Sequence, residues 1–432
     1  MKKNILLFGI LLSQIILTAQ NSWWAIGSGM NNSVRSIYED PISNKLYVGG
    51  EFTTVNSNPF GYVAEWDGTT WNNLDSGMNY LVNTFVRFNG EIYAGGNFGF
   101  AGGDTTNFVA KWNGTSWSSV GSGFNGIVQA LEVYNNELYA TGSFTTSGTI
   151  TVNGIAKWNG TSWSAVGSGL SGPVIGLAMA VFNNELYVGG QFTSAGGNPA
   201  NYIAKWNGNT WSNLGFGLNA QPQALKVYNG ELYVGGQFTS AGLNSMNFIS
   251  KWNGNTWASV GSGTNSRVEA FAVVNNKLYA GGFFTSAGGL SANHIAEWNG
   301  STWSPLSNGT NNWVFALSSY GSDLYVGGLF TTANNITVNH FARWSSSPTM
   351  INEFSSSNNI LLFPNPTSNN INIETKFHNY VIDIYNSIGQ NIYSTSLEGL
   401  KNEINLSFLN RGLYYFKFTT DKGSFYKNVL IN

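Results

Sequence analysis

Leu46-Tyr47-Val48-Gly49-Gly50 returns, with small changes, at 92–96, 138–142, 186–190, 232–236, 278–282 and 324–328, in steps of 46, 46, 48, 46, 46 and 46 residues. A second phrase, Trp-Asn-Gly or Trp-Asp-Gly, begins at Trp66, Trp112, Trp158, Trp206, Trp252 and Trp298, and Trp344 holds the seventh register alone. Five residues after each of the first six stands another tryptophan, at 71, 117, 163, 211, 257 and 303. A fixed period of this length marks a repeat architecture. Within the third unit, apolar runs at 128–134, 137–144, 155–158 and 163–166 are each of strand length and are separated by turn signals. Asn135-Asn136 and Asn159-Gly160 tolerate positive φ and so permit tight hairpins. Four antiparallel strands in about 46 residues make a propeller blade.

The ends of the repeat decide whether it closes. The seventh unit runs from Trp344 into Ser345-Ser346-Ser347-Pro348 and has no fourth strand, whereas Trp23-Trp24-Ala25-Ile26-Gly27-Ser28-Gly29 matches Trp117-Ser118-Ser119-Val120-Gly121-Ser122-Gly123 and has no third strand before it. If the N-terminal segment completes the last unit, the ring is latched by its own ends and no edge is left unpaired. The expected fold is all-β, a seven-bladed β-propeller over 20–344, a Ser/Asn-rich linker over 345–358 and a C-terminal immunoglobulin-like β-sandwich over 359–432. Residues 1–19 read as a signal peptide: Lys2 and Lys3, an apolar run over 5–17, then Ala19. No apolar run of spanning length follows, so no membrane span is expected in the mature chain.

Composition agrees and excludes several functions. Only 9% of the 432 residues are charged, the net charge is −2, and there are 53 Gly, 16 Trp, 20 Tyr, 28 Phe and no Cys. A 15% aromatic content excludes disorder, and the balanced charge leaves no basic surface for nucleic acid. Without cysteine there are no disulfides, thiolate metal sites or cysteine nucleophiles. His294 and His340 are one repeat apart, but their register elsewhere holds Tyr62, Phe108, Gly154, Tyr202 and Phe248. Third-strand positions in adjacent blades are roughly 13 Å apart, too far to share a metal, so no metal or cofactor is expected.

Residues needed once per unit are explained by the unit. Fourteen of the 16 tryptophans fall in the two repeat registers, and packing of each indole against backbone bared by the double glycine is expected. Asn31, Asn79, Asn125, Asn219, Asn265 and Asn311, with Ser171 substituting, read as turn chemistry before the first strand. The charged residue before the first Trp (Glu65, Lys111, Lys157, Lys205, Lys251, Glu297, Arg343) reads as a solvated strand position. Function is sought where units differ. The second position of the first strand reads Arg35, Asn83, Gln129, Ile175, Gln223, Glu269 and Phe315, and Trp313 stands in a register otherwise holding Ser33, Leu81, Ile127, Pro173, Gln221 and Arg267. Arg35, Asn83, Gln129, Gln223, Glu269 and Trp313 are therefore the candidate ligand residues at the channel mouth. Glu269 is the one acid among them, and glycoside chemistry wants two; no catalytic motif appears, and no enzyme is expected. The expected role is binding of an extracellular protein or glycan, the alternative a secreted hydrolase or lyase acting on polysaccharide.

The hydrophobic run, double glycine and two spaced aromatics over 23–344 resemble the kelch-type propeller family, with departures at Thr141, in a shorter repeat and in Trp for Tyr at the first aromatic. The pattern is also similar to the propeller of copper radical oxidases, whose activity needs a Cys crosslinked to Tyr that is absent here. After the linker, Phe363-Pro364-Asn365-Pro366, then 381–386 with Gly389-Gln390, then 404–407 with Leu409, Gly412 and Tyr414, then 427–431 with Lys427 follow in order. This set resembles the type A C-terminal sorting domain of the type IX secretion system. The resemblance implies that residues 359–432 are recognised by an outer-membrane translocon of a Gram-negative lineage, leaving the protein secreted or on the outer-membrane surface, with Pro364, Asn365, Pro366, Gly389, Gln390, Gly412, Tyr414 and Lys427 carrying the motif.

Overall fold

The computed structural model describes residues 22–171, 175–345, 360–367, 369–386, 390–420 and 423–431. The signal-peptide reading falls outside them, as do Gly389 and all of the linker except Ser345, which ends the strand Phe341–Ser345. The chain divides into two compact bodies, Met1–Ser346 and Ser347–Asn432.

In the first body the apolar runs become seven four-stranded antiparallel sheets among the described residues. The third is representative: Val128–Tyr134, Glu137–Gly142, Ile155–Trp158 and Trp163–Ala165, paired in that order. Asn135 and Asn136 join the first two strands with φ of 49° and 59°, as a two-residue hairpin of matching twist requires. The first strands of successive units lie side by side from Val34–Asp40 to Val314–Tyr320, and the last lies against the first, so they line the axis of a closed ring. Ser22–Ala25 pairs with Phe341–Ser345, aligning Trp23 with Trp344 and Ala25 with Ala342, and this strand completes the seventh sheet.

The repeated tryptophans join neighbouring sheets. The indole N–H of Trp117 donates to the Leu74 carbonyl of the preceding unit at 3.0 Å, Trp163 to Val120 at 2.9 Å, and Trp23 to Leu306 at 3.1 Å. The rings pack on turn glycines rather than on the double glycine: a Cβ on Gly121 would lie 2.8 Å from Trp158, and one on Gly196 would lie 2.6 Å from Trp211. What the first glycine of the pair admits is the next unit, and what the second admits is the backbone before its own first strand. A Cβ on Gly49 would meet Val82 of the following first strand at 2.8 Å, and one on Gly50 would meet the Ser33 carbonyl at 2.2 Å.

The charged register is not simply solvated. Lys251 Nζ lies 2.7 Å from Glu231 on the adjacent strand, and Lys111, Lys157 and Lys205 make the same pair with Glu91, Glu137 and Glu185. In the first and sixth units the signs are exchanged, as Lys45–Glu65 and Lys277–Glu297, while in the seventh Arg343 meets Asp323 with the base again on the third strand. His294 and His340 hold a left-handed backbone, φ 66° and 71°, as Tyr62, Phe108, Gly154, Tyr202 and Phe248 do. Burial keeps both imidazoles below their ordinary pKa. No cluster of three or more His, Asp or Glu suited to a metal occurs among the described residues.

The second body has a three-stranded sheet (Ile360–Phe363, Asn370–Thr375, Lys401–Asn405) and a four-stranded one (Asn391–Glu398, Asn379–Tyr385, Gly412–Thr420, Gly423–Ile431). Ile371, Ile373 and Ile404 from the first meet Ile382, Ile384, Phe416 and Phe418 from the second in one core. The motif residues hold its ends together. Asn365 Oδ1 accepts from Leu430 N–H at 2.9 Å between exposed Pro364 and Pro366, and Tyr414 donates to the Asn410 carbonyl at 2.9 Å. Gln390 closes its turn by donating its N–H to Asn386 Oδ1 at 2.9 Å, Gly412 opens the strand that carries Tyr414, and Lys427 pairs in register with Phe416.

Candidate functional site

Each first strand carries a β-bulge one residue after its register start, between Val34 and Ser36 in the first unit and at the equivalent place in the other six. A bulged residue leaves the ladder and its side chain is re-aimed. The bulged residues are Arg35, Asn83, Gln129, Leu177, Gln223, Glu269 and Phe315, so the candidate ring is a ring of bulges with one correction. Ile175 is not its fourth member: Ile175 pairs with Gln191, and the bulge lies between Gly176 and Ala178. The longer step into this unit delivers an eight-residue first strand, Ile175–Phe182, and counting forward from its start misplaces the register. Ile175 is thus the counterpart of Trp313, and Pro173 lies outside the described residues.

A third register joins this mouth, one that sequence reading missed. The residue after the double glycine donates its N–H to the carbonyl that precedes the bulge strand: Glu51 to Ser33 at 2.8 Å, Phe283 to Arg267 at 3.0 Å, Leu329 to Trp313 at 2.9 Å. It reads Glu51, Asn97, Ser143, Gln191, Gln237, Phe283 and Leu329. Its variation between units, beside a double glycine that departs only at Thr141, was the available signal.

Three registers therefore converge, and in the sixth, seventh and first units they build one cluster. Trp313 stacks on Phe283, centroids 4.1 Å apart at 26°, and remains 39% exposed. The Arg267 guanidinium lies 3.6 Å from the Phe283 ring centre and that of Arg35 lies 3.9 Å from the Phe315 ring centre, contacts that favour a planar cation over an aromatic face. Phe283 and Phe315 are 5.9 Å apart. Each arginine also has a carboxylate. Arg35 donates to Glu51 Oε1 from Nη2 at 2.8 Å and from Nε at 3.2 Å. Arg267 Nε sits 2.7 Å from Glu269 Oε1, close but off the hydrogen-bonding axis. Burial raises the Glu269 pKa, and the charges of Arg267 and then Arg35 draw it back.

Elsewhere on the ring the site is amide. Asn83 donates from Nδ2 to the Val128 carbonyl at 3.0 Å and so ties two units together, while Gln129 and Gln223 are half-buried at the same register. Further along the first strands, the charge of Glu132 in the third unit bears on Tyr38 of the first, and that of Lys226 in the fifth bears on Glu132. Burial pushes the Glu132 carboxyl up to about 7, against the pull of the Val133 N–H and Lys226.

Residues 361–432 match the secretion system C-terminal sorting domain family, and residues 68–229 match the Rax2 C-terminal β-propeller domain family. The chain thus carries a propeller and a type IX sorting tail. It is exported by that system, to the medium or the outer-membrane surface of a Bacteroidetes cell. No curated protein sequence matches the chain. Among solved structures, the extracellular domain of the putative one-component system BT4673 from B. thetaiotaomicron is similar at 15% identity and a TM-score of 0.51, over 96% of this chain and 58% of that one. PorZ of Porphyromonas gingivalis, described as an essential bacterial surface component of the type IX secretion system, is similar at 14% identity and a TM-score of 0.46, over 95% of this chain and 60% of that one. The GH74 enzyme of Niastella koreensis is similar at 14% identity and a TM-score of 0.48, over 95% of this chain and 74% of that one. This chain therefore spans less than two thirds of the BT4673 domain and of PorZ.

Proposed function

We propose that this protein is an exported binding propeller, not an enzyme, whose ligand seats on the mouth formed by the bulge ring. In this reading residues 1–19 direct export across the first membrane, 20–344 carry the ligand site, 345–358 link, and 359–432 engage the type IX translocon. The observation that carries it is Trp313: an indole in a register where no other unit has an aromatic, stacked on Phe283 and still open to solvent. Binding sites favour such an apolar surface beside a few fixed polar groups. The polysaccharide hydrolase or lyase reading gains nothing from the cluster, because Glu51 and Glu269 each lie within ion-pair distance of an arginine.

The test compares two tryptophans. Trp313→Ala is expected to weaken ligand binding by about 1 to 3 kcal/mol, the scale of an aromatic anchor, with the melting temperature unchanged. Trp117→Ala removes a buried ring and its hydrogen bond to Leu74, and is expected to cost about 3 to 5 kcal/mol of stability. A Trp313→Ala protein that melts as early as Trp117→Ala sinks the proposal.

A further inference from the structure

We infer that the ligand of this mouth is an uncharged saccharide, one of whose rings lies on the open face of Trp313; this rests on the reading of the mouth as a binding site. Three observations carry it. The exposed platform is a single indole, with Phe283 and Phe315 half-buried beside it. That area suits one pyranose ring, which offers C–H groups to an aromatic face, better than it suits the larger apolar anchor of a protein partner. Around it stand groups that donate or accept hydrogen bonds in fixed places: the Arg35–Glu51 and Arg267–Glu269 pairs close by, the amides of Gln129 and Gln223 further round the ring. Hydroxyl groups, being both donors and acceptors, can meet all of these.

The third observation is charge. The cluster holds two guanidinium groups and two carboxylates, and each guanidinium is within 2.8 Å of a carboxylate oxygen. A uronate, sulfate or phosphate would have to share an arginine with Glu51 or Glu269 and sit beside that carboxylate, which is costly for partly buried charge of like sign. A neutral sugar disturbs neither pair. Selection against charged sugars is therefore built into the site by occupied arginines, a repulsive element of specificity.

The experiment uses the full chain and titrates cellohexaose, xylohexaose, mannohexaose, laminarihexaose, maltohexaose and hexagalacturonate, following tryptophan fluorescence and heat. At least one neutral hexasaccharide is expected to bind ten times or more tighter than hexagalacturonate. Trp313→Ala should lose about tenfold or more of that affinity, and Trp313→Tyr should recover most of it. The double variant Glu51→Gln with Glu269→Gln, which frees both guanidinium groups, should bind hexagalacturonate about tenfold better than the parent. If that variant does not fold, the neutral-against-charged comparison on the parent still decides. Should no neutral probe bind, or hexagalacturonate bind best in a Trp313-dependent way, the neutral-saccharide inference falls, and in the second case the mouth stands as a binding site. Neutral binding unaffected by Trp313→Ala removes both.

Discussion

A single residue shows how the interface between units is set. In six units the first glycine of the pair faces the opening side chain of the next first strand, where a Cβ would come within 2.4 to 2.8 Å of Val82, Val128, Pro222, Val268, Val314 or Val34. The third unit has Thr141 there, and the residue opposite is Gly176, where a Cβ would lie 1.7 Å from Thr141 Oγ1. Bulk has moved across the interface, and Thr141 donates its hydroxyl hydrogen to the Gly154 carbonyl at 2.7 Å. Thr141 was legible as a departure, but its compensation was not, since the extra residues before the fourth unit hid which residue it faces. Gly176→Val is expected to destabilise by about 2 kcal/mol or more through overpacking, and Thr141→Gly by about 1 kcal/mol through the space it leaves. The double variant should recover most of both losses, a coupling above about 1 kcal/mol in a denaturation cycle; additive losses would show that the two do not share a contact. Glu132 offers a second residue-scale test. Its folded pKa, about 7, lies above its unfolded value, so its contribution is present below about 4.5 and is lost as pH rises through 7. Between pH 5 and 8 the parent should lose about 2 kcal/mol more stability than Glu132→Gln, measured by urea unfolding at both pH values. An equal gap between the two proteins at both would place the carboxyl in water instead.

At the scale of strands and turns, regular structure was the most legible and side-chain pairing the least. The Asn-Asn and Asn-Gly turns and the four strands of each unit follow from local chemistry. Asn31 also behaves as its position suggested: its Oδ1 accepts the N–H groups of Thr53 and Thr54 at 2.8 and 2.9 Å, and in the fourth unit Ser171 meets Ser194 instead. The hairpins so clamped, such as Thr54–Val55 with Asn58–Pro59, went unread because two-residue strands carry no periodicity. The charged register was misread for another reason. Lys251 pairs in register with Tyr233, so Glu231 is its diagonal neighbour two residues away, and such pairs appear only once strand alignment is known. Because the signs are already exchanged in two units, either polarity fits the sheet. Lys251→Glu or Glu231→Lys alone places like charges together in a site about one quarter exposed, and should cost about 1 to 2 kcal/mol, somewhat above a fully exposed pair. Both changes together should restore most of the loss in chemical denaturation. A double variant as weak as the sum of the singles would mean that the polarity of each pair is dictated by something beyond the pair.

For the whole molecule, closure was readable because the chain repeats itself at its ends, whereas the mouth was not, because it needs three registers brought together by folding. The match of 23–29 to 117–123 carried the information that Trp23 belongs to the seventh sheet. In the structure Trp23 is almost fully buried, packs at a tilt with its ring centre 5.2 Å from that of Trp344 and donates across to Leu306, as its counterparts do elsewhere in the ring. Phe283 and Glu51 carried no comparable mark, since each is an ordinary residue until folding brings Trp313 from the next unit and Arg35 from the first strand of the same unit. The latch gives a sharp expectation. Removing residues 22–29 takes away Trp23 and Ile26, both buried, and exposes the edge of Phe341–Ser345 to solvent and to other chains. Losing one large buried aromatic alone costs about 3 to 5 kcal/mol, so this deletion should cost at least about 5 kcal/mol and lower the melting temperature by about 10 °C or more, with aggregation on heating. Removing eight residues from the Ser/Asn-rich linker takes none of these contacts and should leave the propeller transition in place. Calorimetry of the two deletions beside the parent separates the cases: equal transitions would show that the strand merely leans on a ring already stable without it, and an early transition in the first alone ties the ring's stability to its latch.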